Sequence, residues 1–157
     1  MLEWLAQWMA AWSLAGFLRR SSTAYMLVNA AHVLGLGLTL GAILPLDLRL
    51  LGLFRSVPLA VIGPFLTRAA AVGLALALVT GVLLVSVRPV EYLANPAFRL
   101  KLVLLALALA NVAAQHGAGI RVAFAAGRAS GRARLLAGAS ATLWLAVLVA
   151  GRAIGFV

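Results

Sequence analysis

Two histidines are the residues of this chain best suited to chemistry. His32 lies within an apolar stretch that runs from Tyr25 to Leu46, and Asn29 precedes it by about one helical turn. His116 lies near the end of a later apolar stretch. Hydrocarbon offers no water to solvate an imidazole, so a histidine inside a membrane span needs a protein or cofactor partner. These two side chains are therefore the first candidates for binding a ligand.

The helical rise of about 1.5 Å per residue places the two histidines at different depths. Counted from the end of the spans nearer the chain termini, His32 lies about 12 Å deep, Lys101 about 6 Å and His116 about 28 Å. Two axial nitrogens on one metal stand only about 4 Å apart, given bonds of about 2 Å. A metal shared by both histidines is therefore disfavoured, whereas His32 and Lys101 are close enough to meet.

We therefore predict a cofactor site in the half of the membrane nearer the termini. His32 is the predicted axial ligand of a b-type haem iron, with Asn29 one turn away on the same helix face. Lys101 and Arg152, with Arg88 as a further candidate, would bind an anionic group such as a haem propionate. The alternatives are copper in place of haem, or no cofactor at all.

The same polar residues also have interpretations without a ligand. His32 can form a hydrogen bond between helices that fixes packing, worth about 0.6 to 2 kcal/mol. His116 is an alternative metal ligand, but at a helix end it can also be solvated or pair with Asp47. Asn111 and Gln115 share a helix face and are predicted to bond across helices or, in a transport protein, to line a polar path. These interpretations stay open on the sequence alone.

The composition places the chain in a bilayer. Hydrophobic residues make up 65% of the 157 residues, charged residues make up 10%, and the mean hydropathy is +1.11, well outside the range of soluble domains. The net charge is +10, but the basic residues lie at the ends of apolar segments, where they anchor spans and meet lipid headgroups, so nucleic acid is excluded as a partner. The absence of cysteine excludes disulfides, thiolate metal sites, iron–sulfur clusters and thioether-linked haem.

The apolar segments predict one all-α domain over residues 1–157, a transmembrane four-helix bundle preceded by an amphipathic helix in the membrane interface. Trp4, Trp8 and Trp12 share one face of that N-terminal helix, and tryptophan prefers the interfacial depth. The predicted elements are the interfacial helix at 1–20 and spans at about 24–46, 65–87, 97–119 and 135–154.

Prolines, charges and glycines set the predicted ends of the spans. Asp47 and Arg49, just after Pro45, are expected to close span one as an interfacial charge pair. Four residues of the next connection argue against a continuous helix: Gly52, Pro58, Gly63 and Pro64. Within the spans, small residues recur at intervals of four, which lets helix backbones approach closely. They are Gly37 and Gly41; Ala69, Gly73, Ala77 and Gly81; Ala106, Ala110, Ala114 and Ala118; and Gly151 and Gly155.

The distribution of positive charge predicts the orientation. Basic residues outnumber the single acid, Asp47, in and beside the connections between spans one and two and between spans three and four. By the positive-inside rule these connections are cytoplasmic, so both termini are expected in the periplasm. The basic residues are Arg49, Arg55, Arg68, Arg121, Arg128, Arg132 and Arg134.

The order of motifs resembles that of an uncharacterised bacterial family of small four-span integral membrane proteins. The segments that carry this resemblance are AHVLGLGLTLGAILPLDLRLLG, NPAFRLKLVLLALALANVAAQH and AGRAIGF, behind a tryptophan-containing lead. More distantly, a first-span histidine paired with a lysine at the leucine-rich start of the third span is similar to the HemJ-type protoporphyrinogen oxidase and the copper-resistance D-type membrane domain. The former resemblance implies that His32 ligates a b-type haem and that Lys101 is a second essential residue, while the tryptophan-rich lead and the DLR turn depart from it.

These observations together predict a small, multi-pass protein of the bacterial inner membrane that binds b-type haem through His32 and acts in intramembrane electron transfer or as a subunit of a redox complex. The alternative is a non-enzymatic membrane subunit or metal-ion permease in which the buried polar residues pack helices or line a path. Besides the lipid bilayer, the expected partners are further copies of the chain or a larger membrane complex. Whether the protein is an enzyme stays open.

Overall fold

The computed structural model describes residues 2–117 and 119–156, and over these residues the chain forms eight helices and no strand. The helices are α1 (Leu2–Ala10), α2 (Ser13–Arg20), α3 (Ser22–Leu51), α4 (Leu59–Val87), α5 (Pro89–Ala94), α6 (Pro96–Gly117), α7 (Ile120–Ala126) and α8 (Gly131–Ala153). Four of them, α3, α4, α6 and α8, are long and apolar enough to cross a membrane. The predicted all-α four-helix bundle is therefore confirmed, and the chain is a multi-pass membrane protein. Met1, Ala118 and Val157 of the predicted domain lie outside the described residues.

Polar side chains cap the starts of three of the long helices. The Ser21 hydroxyl accepts a hydrogen bond from the backbone N–H of Ala24, and the Ser130 hydroxyl accepts one from Ala133, each at 3.2 Å. The Asn95 side-chain oxygen accepts from the backbone N–H of Phe98. Each bond satisfies a backbone donor that the first helical turn leaves without a partner.

Helix α3 is longer than the predicted span one because it continues through Pro45 to Leu51. Proline removes one backbone hydrogen bond, and the carbonyl that its ring would crowd belongs to Gly41. A methyl group on Gly41 would contact nothing within 4 Å, so the helix has free space on that side. The helix ends instead at Gly52, whose φ of 108° is a left-handed conformation that favours glycine. Asp47 therefore lies inside the helix and not at an interfacial turn, which corrects the prediction.

Helix α4 also begins earlier than predicted, at Leu59 after Pro58. Gly63 and Pro64 were expected to interrupt the helix, yet both lie within it. Pro64 is the sixth residue of this helix, so it removes one intrahelical hydrogen bond, the one to the carbonyl of Ala60. At Gly63 the missing side chain is used for packing, because an added methyl group would lie 2.7 Å from the ring of Phe124 in α7.

The N-terminal segment is helical, but it forms two short helices, α1 and α2, with Trp12 between them in an extended conformation. Ala6, Met9, Ala15 and Leu18 are buried by packing on the ends of the long helices. Trp4 and Trp8 remain exposed, as expected for side chains at a membrane interface.

The two ends of the bundle carry different elements. At the terminal end, α1, α2 and α5 pack on the ends of α3, α4 and α6, and the Asn95 amide donates to the carbonyl of Ile154, just after α8. At the loop end, the connection 52–58 and α7 cover the helices, and the Arg134 guanidinium donates to the carbonyl of Leu51. A buried apolar cluster stabilises this end; it contains Leu46, Leu50, Leu59, Ile120, Phe124 and Ala137.

The long helices are arranged in the order α4, α3, α8, α6. Helix α3 packs against α4 and α8, and α8 packs against α6. In the described part of the chain, α4 and α6 make no comparable contact with each other. The backbones of α4 and α6 therefore lie farther apart than those of the other neighbouring helices, although Ala70 of α4 and Ala108 of α6 belong to one buried apolar cluster.

The contact between α3 and α4 depends on two glycines. A methyl group at Gly35 would lie 2.7 Å from the backbone of α4, and one at Gly73 would lie 2.6 Å from the backbone nitrogen of Thr39. Only glycine permits this approach, which is the usual way for membrane helices to gain packing contacts. The predicted packing position Gly73 is confirmed, whereas Gly37 and Gly41 face open space and Gly35 takes their place.

Helix α6 packs through a face other than the predicted one. Ala106 and Ala110 of the predicted small-residue row are exposed, and Ala108 is fully buried instead. Asn111 lies on the same buried face. Ala118, the last residue of the predicted row, is outside the described residues.

Candidate functional site

His32 is held by a threonine of the neighbouring helix. Its Nδ1 lies 3.0 Å from the Thr80 hydroxyl oxygen, and that hydroxyl lies 2.6 Å from the carbonyl oxygen of Leu76. The Thr80 proton is donated to the carbonyl, so the hydroxyl oxygen accepts from His32. This pairing favours the tautomer with the proton on Nδ1 and leaves the Nε2 lone pair free for a ligand.

The absence of a side chain at Gly81 leaves space for the His32 ring. A methyl group at that position would lie 3.2 Å from Cε1 of His32. The ring therefore packs directly on the backbone of α4, one residue after Thr80. Position and orientation of the imidazole are both determined by the same turn of α4.

His32 lies on an apolar cavity of about 460 Å³ between α4 and α6. The volume is within the range of small-molecule sites. Most of the lining is leucine, valine and alanine from α3, α4, α6 and α8. Three of the residues predicted to bind a cofactor line it together: His32, Lys101 and Arg152. The depth estimate from the sequence had placed the first two of these within reach of each other.

The two cations of the cavity have no carboxylate partner among the described residues. Lys101 is half-buried, and its side chain packs on α8 at Gly151. A methyl group added at Gly151 would lie 3.3 Å from Nζ of Lys101. Arg152 lies over the ring of Phe156, 4.4 Å from its centre. Among the described residues the one salt bridge, Arg88 with Glu91, lies elsewhere. An anionic group at this end of the cavity would therefore meet two positive charges that no acid neutralises.

A further polar atom at the cavity has no partner. Trp144 lines the cavity and is 3% exposed, and its Nε1 makes no hydrogen bond. Buried indole N–H groups are normally paired. An acceptor atom on a bound molecule would satisfy this donor.

The remaining predicted ligand residues lie outside the cavity. Asn29 is exposed on α3 and is not part of the lining. His116 is exposed near the end of α6, and its Nδ1 bonds to the carbonyl of Val112 in the same helix. The structure therefore groups neither residue with His32. Arg88 is exposed and pairs with Glu91 at 3.4 Å.

Arg88 belongs to a second, polar pocket of about 1070 Å³ at the terminal end. Arg19 also lines it, but donates to backbone carbonyls at the end of α4 and so fastens α2 to that helix. Tyr92 and Tyr25 hydrogen-bond with each other in this pocket, and burial raises the pKa of Tyr92. We find no feature in this pocket that selects a particular ligand.

A polar cluster lies nearer the loop end of the bundle, around Asp47. The Asp47 side chain is 1% exposed, and the side chains of Ser140 and Gln115 hydrogen-bond with its carboxyl group. Asn111 and Gln115 both donate to the carbonyl of Leu136 in α8. The predicted bonding of these two amides across helices is confirmed. The suggested pair of Asp47 with His116 is wrong, because Asp47 is enclosed by the bundle and His116 points out of it.

The sequence did not single out the residues that surround His32. Thr80, Gly81 and Trp144 each have a specific role at the cavity. The signal was present for Thr80, which is one of the few hydroxyl residues of an otherwise apolar span. No periodicity in the sequence reveals that its turn faces His32, because helix rotation is set by tertiary packing.

The structure and the sequence comparisons limit what else can be assigned. Among residues 2–117 and 119–156, no group of three or more His, Cys, Asp or Glu side chains could hold a metal ion. No family model matches the chain, and comparisons with curated proteins and with solved structures found no match either. The resemblance to haem-binding and copper-resistance membrane proteins therefore stays a prediction.

Proposed function

We propose that the protein binds a b-type haem in the cavity between α4 and α6 through Nε2 of His32, and that it transfers electrons within the membrane, alone or as a subunit of a redox complex. The observation that carries the proposal is the cavity itself. It combines an imidazole with one free nitrogen, an apolar wall and two unpaired cations, Lys101 and Arg152.

The residues of the cavity fit this group in three respects. The Thr80 oxygen holds the Nδ1–H of His32, which is the arrangement that orients metal-binding histidines in proteins. The apolar wall suits the face of a porphyrin. Lys101 and Arg152 suit its carboxylates, and Trp144 offers one further donor. A bound haem would supply one-electron redox chemistry, and the protein would tune it through the ligand, the burial and the hydrogen bonds.

The separation of α4 and α6 supports a role within the bilayer. Because α4 and α6 are separated beside the cavity, an apolar molecule reaches it from the lipid without crossing the polar ends. Leu102 of the cavity lining is itself exposed on the lipid-facing surface. An electron partner soluble in the membrane, or another membrane subunit, would approach from this side.

Copper is the alternative cofactor. Met9 lines the same cavity as His32, and a thioether with an imidazole is a ligand pair suited to Cu(I).

The second candidate function is a non-enzymatic subunit or metal-ion permease. The buried amides favour a non-enzymatic subunit in which polar residues hold the helices together. Asn111 and Gln115 support this because both donate from α6 to the carbonyl of Leu136 in α8.

We further propose that the protein lies in the bacterial inner membrane with both termini in the periplasm. The excess of arginine at the loop end supports this orientation. The cavity would then be in the periplasmic half of the membrane. Homo-oligomers or a larger membrane complex remain the proposed partners, together with the lipid bilayer.

Absorption spectroscopy tests the proposal directly. The protein is expressed with a haem precursor in the medium, purified in detergent, and measured oxidised and then reduced, with metal content determined in parallel. We expect a Soret band and reduced α and β bands in the wild type, their loss in His32→Ala, and their retention in the matched control His116→Ala. A colourless wild type, or an unchanged spectrum in His32→Ala, contradicts haem binding by His32. Copper in the wild type that is lost in His32→Ala supports the alternative cofactor.

A further inference from the structure

Asp47 is the one acid that the bundle encloses among the described residues. The other described acid whose side chain is seen, Glu91, is exposed and paired. Asp47 is 1% exposed, and its Oδ2 has no hydrogen-bond partner. An acid inside a membrane bundle is costly and commonly marks the path or binding site of an ion. The haem proposal makes no use of this residue.

The neighbours of Asp47 provide polar atoms from three helices. Asp47 belongs to α3, Gln115 to α6 and Ser140 to α8, and the latter two hydrogen-bond with its carboxyl group. Asn111 lies one turn from Gln115 and bonds to the same carbonyl of Leu136. The cluster therefore combines one carboxyl group, two amides, one hydroxyl and one carbonyl.

No basic side chain neutralises Asp47. Arg49, two residues away, donates to the carbonyls of Val57 and Arg55 at the exposed loop end. Arg134 donates to the carbonyl of Leu51. No salt bridge to Asp47 exists in the described part of the chain. A carboxyl group so enclosed is neutralised either by a proton or by a cation, and no cationic side chain of the described residues reaches it.

We propose that Asp47, Ser140, Gln115 and Asn111 form a binding site for one alkali-metal cation, with Na⁺ the expected ion. Oxygen atoms of carboxylate, hydroxyl, amide and carbonyl groups are the ligands that hard cations prefer. A single carboxylate balances a single positive charge, so a monovalent ion leaves the buried cluster neutral. The free Oδ2 of Asp47 is the atom that the cation would contact first.

The site is separate from the haem cavity. None of its four side chains lines that cavity. The two sites lie towards opposite ends of the bundle, since Asp47 is four residues before the last residue of α3, whereas His32 lies in the first half of the same helix. The cation proposal therefore stands or falls independently of haem binding.

Thermal unfolding in different chlorides tests the proposal. Full-length protein in detergent is unfolded in NaCl, KCl or choline chloride at one ionic strength and one pH. At a Na⁺ concentration of ten times the dissociation constant we expect the Tm to lie about 3 to 6 °C above its value in choline. A rise in KCl of equal or smaller size also supports an alkali-metal site. Equal Tm values in all three salts overturn the proposal.

Variants locate the effect. Asp47→Asn keeps the shape of the side chain but removes its charge, and we expect the Na⁺-dependent rise to disappear. Ser140→Ala should weaken the response, while His32→Ala should leave it intact because the haem cavity is separate. Ser86→Ala is the matched control, since Ser86 is fully buried in α4 and bonds within its own helix. An undiminished response in Asp47→Asn overturns the assignment.

A direct measurement covers the case in which Asp47→Asn fails to fold. Binding of ²²Na⁺ to the wild-type protein is measured by scintillation proximity, with unlabelled NaCl and choline chloride as competitors. We expect saturable binding of about one equivalent that NaCl displaces and choline does not. The absence of displaceable binding overturns the proposal whatever the variants do.

Discussion

At the scale of single residues, one hydrogen bond decides what His32 can do. The Thr80 hydroxyl is committed to the Leu76 carbonyl at 2.6 Å, so it accepts from Nδ1 and leaves Nε2 open to the cavity. If the hydroxyl were absent, the ring would keep only its hydrogen bond with the Ala77 backbone, and its orientation would be less well defined. The histidine was evident in the sequence, but the hydrogen bond that would prepare it to bind the proposed haem comes from Thr80.

Thr80→Val tests this dependence. Valine keeps the size of threonine but removes the oxygen that orients the ring, so we expect haem affinity to fall about 10- to 100-fold without loss of the fold. Haem titration of the apoprotein, followed at the Soret band, measures the change. Thr142→Val is the control, because the Thr142 hydroxyl bonds only to Gly138 of its own helix. Equal affinities in both variants contradict the role of Thr80.

Gly81→Ala tests the space that the His32 ring occupies. The added methyl group would lie 3.2 Å from Cε1, so the ring must shift by a few tenths of an ångström. We expect a displaced Soret maximum and weaker haem binding, since the iron ligand would move with the ring. Gly37→Ala in α3 adds the same methyl group where nothing lies within 4 Å, and its spectrum should match the wild type. Identical spectra for both variants would show that the ring does not depend on Gly81.

The sequence predicted part of this site for sound physical reasons. Helical rise placed His32 and Lys101 at similar depths, and both line one cavity. It also placed Asn29 beside His32, yet Asn29 is exposed on a part of α3 that other helices leave free. Sharing a face of one helix says nothing about which neighbour covers that face. The partners of His32 on α4 depend on helix rotation, which follows only from packing.

At the scale of elements, the contact between α3 and α4 forms one wall of the cavity. Gly35 and Gly73 bring the backbones together beside Thr39, and His32 and Thr80 follow on the same two helices towards the terminal end. In lipid, where no hydrophobic effect drives helices together, such close contacts supply the packing energy. The position of Thr80 relative to His32 is therefore a consequence of the glycine contact.

Gly73→Ala should disrupt this contact. Its methyl group would lie 2.6 Å from the backbone nitrogen of Thr39, which cannot move without shifting the helix. Overpacking of this kind costs about 1 to 3 kcal/mol, and the better helix propensity of alanine recovers at most about 1 kcal/mol. Thermal or denaturant unfolding in detergent measures the difference. Gly41→Ala, which faces open space, should be neutral or slightly stabilising. A Gly73→Ala protein as stable as the wild type contradicts the close contact.

The elements themselves were largely evident from the sequence, and their ends were not. Apolar stretches of sufficient length gave four spans, and Asn95 indicated the start of α6. Pro45 and Pro64 were expected to end or start helices, but both lie inside them. A helix in a membrane bundle tolerates an internal proline better than a soluble helix does, because neighbouring helices satisfy the backbone groups that the proline leaves unpaired. The short α7 was predicted as part of a connection because it contains an arginine and several small residues. The sequence did not indicate that Ile120 and Phe124 of this segment are buried in an apolar cluster.

At the scale of the whole molecule, charge and shape divide the bundle into two ends. The loop end carries arginines of the connections and the enclosed Asp47 cluster, whereas the terminal end carries the two short N-terminal helices and the cavity. Four crossings place both termini on the same side. Which side that is depends on the arginines, because positive loops are retained in the cytoplasm. The proposed functions depend on this orientation, because it determines which compartment each site faces.

The absence of native cysteine makes this orientation measurable with single introduced thiols. Ser13→Cys at the start of α2 and Ser56→Cys in the connection between α3 and α4 both replace exposed serines and leave the charge unchanged. In intact bacterial cells whose outer membrane admits the reagent, a membrane-impermeant maleimide should label Ser13→Cys and not Ser56→Cys. Permeabilising the inner membrane should make the second thiol react. The reverse pattern would place the loop end in the periplasm and move the haem cavity to the cytoplasmic half, while labelling of both thiols in intact cells would contradict a bundle of four crossings.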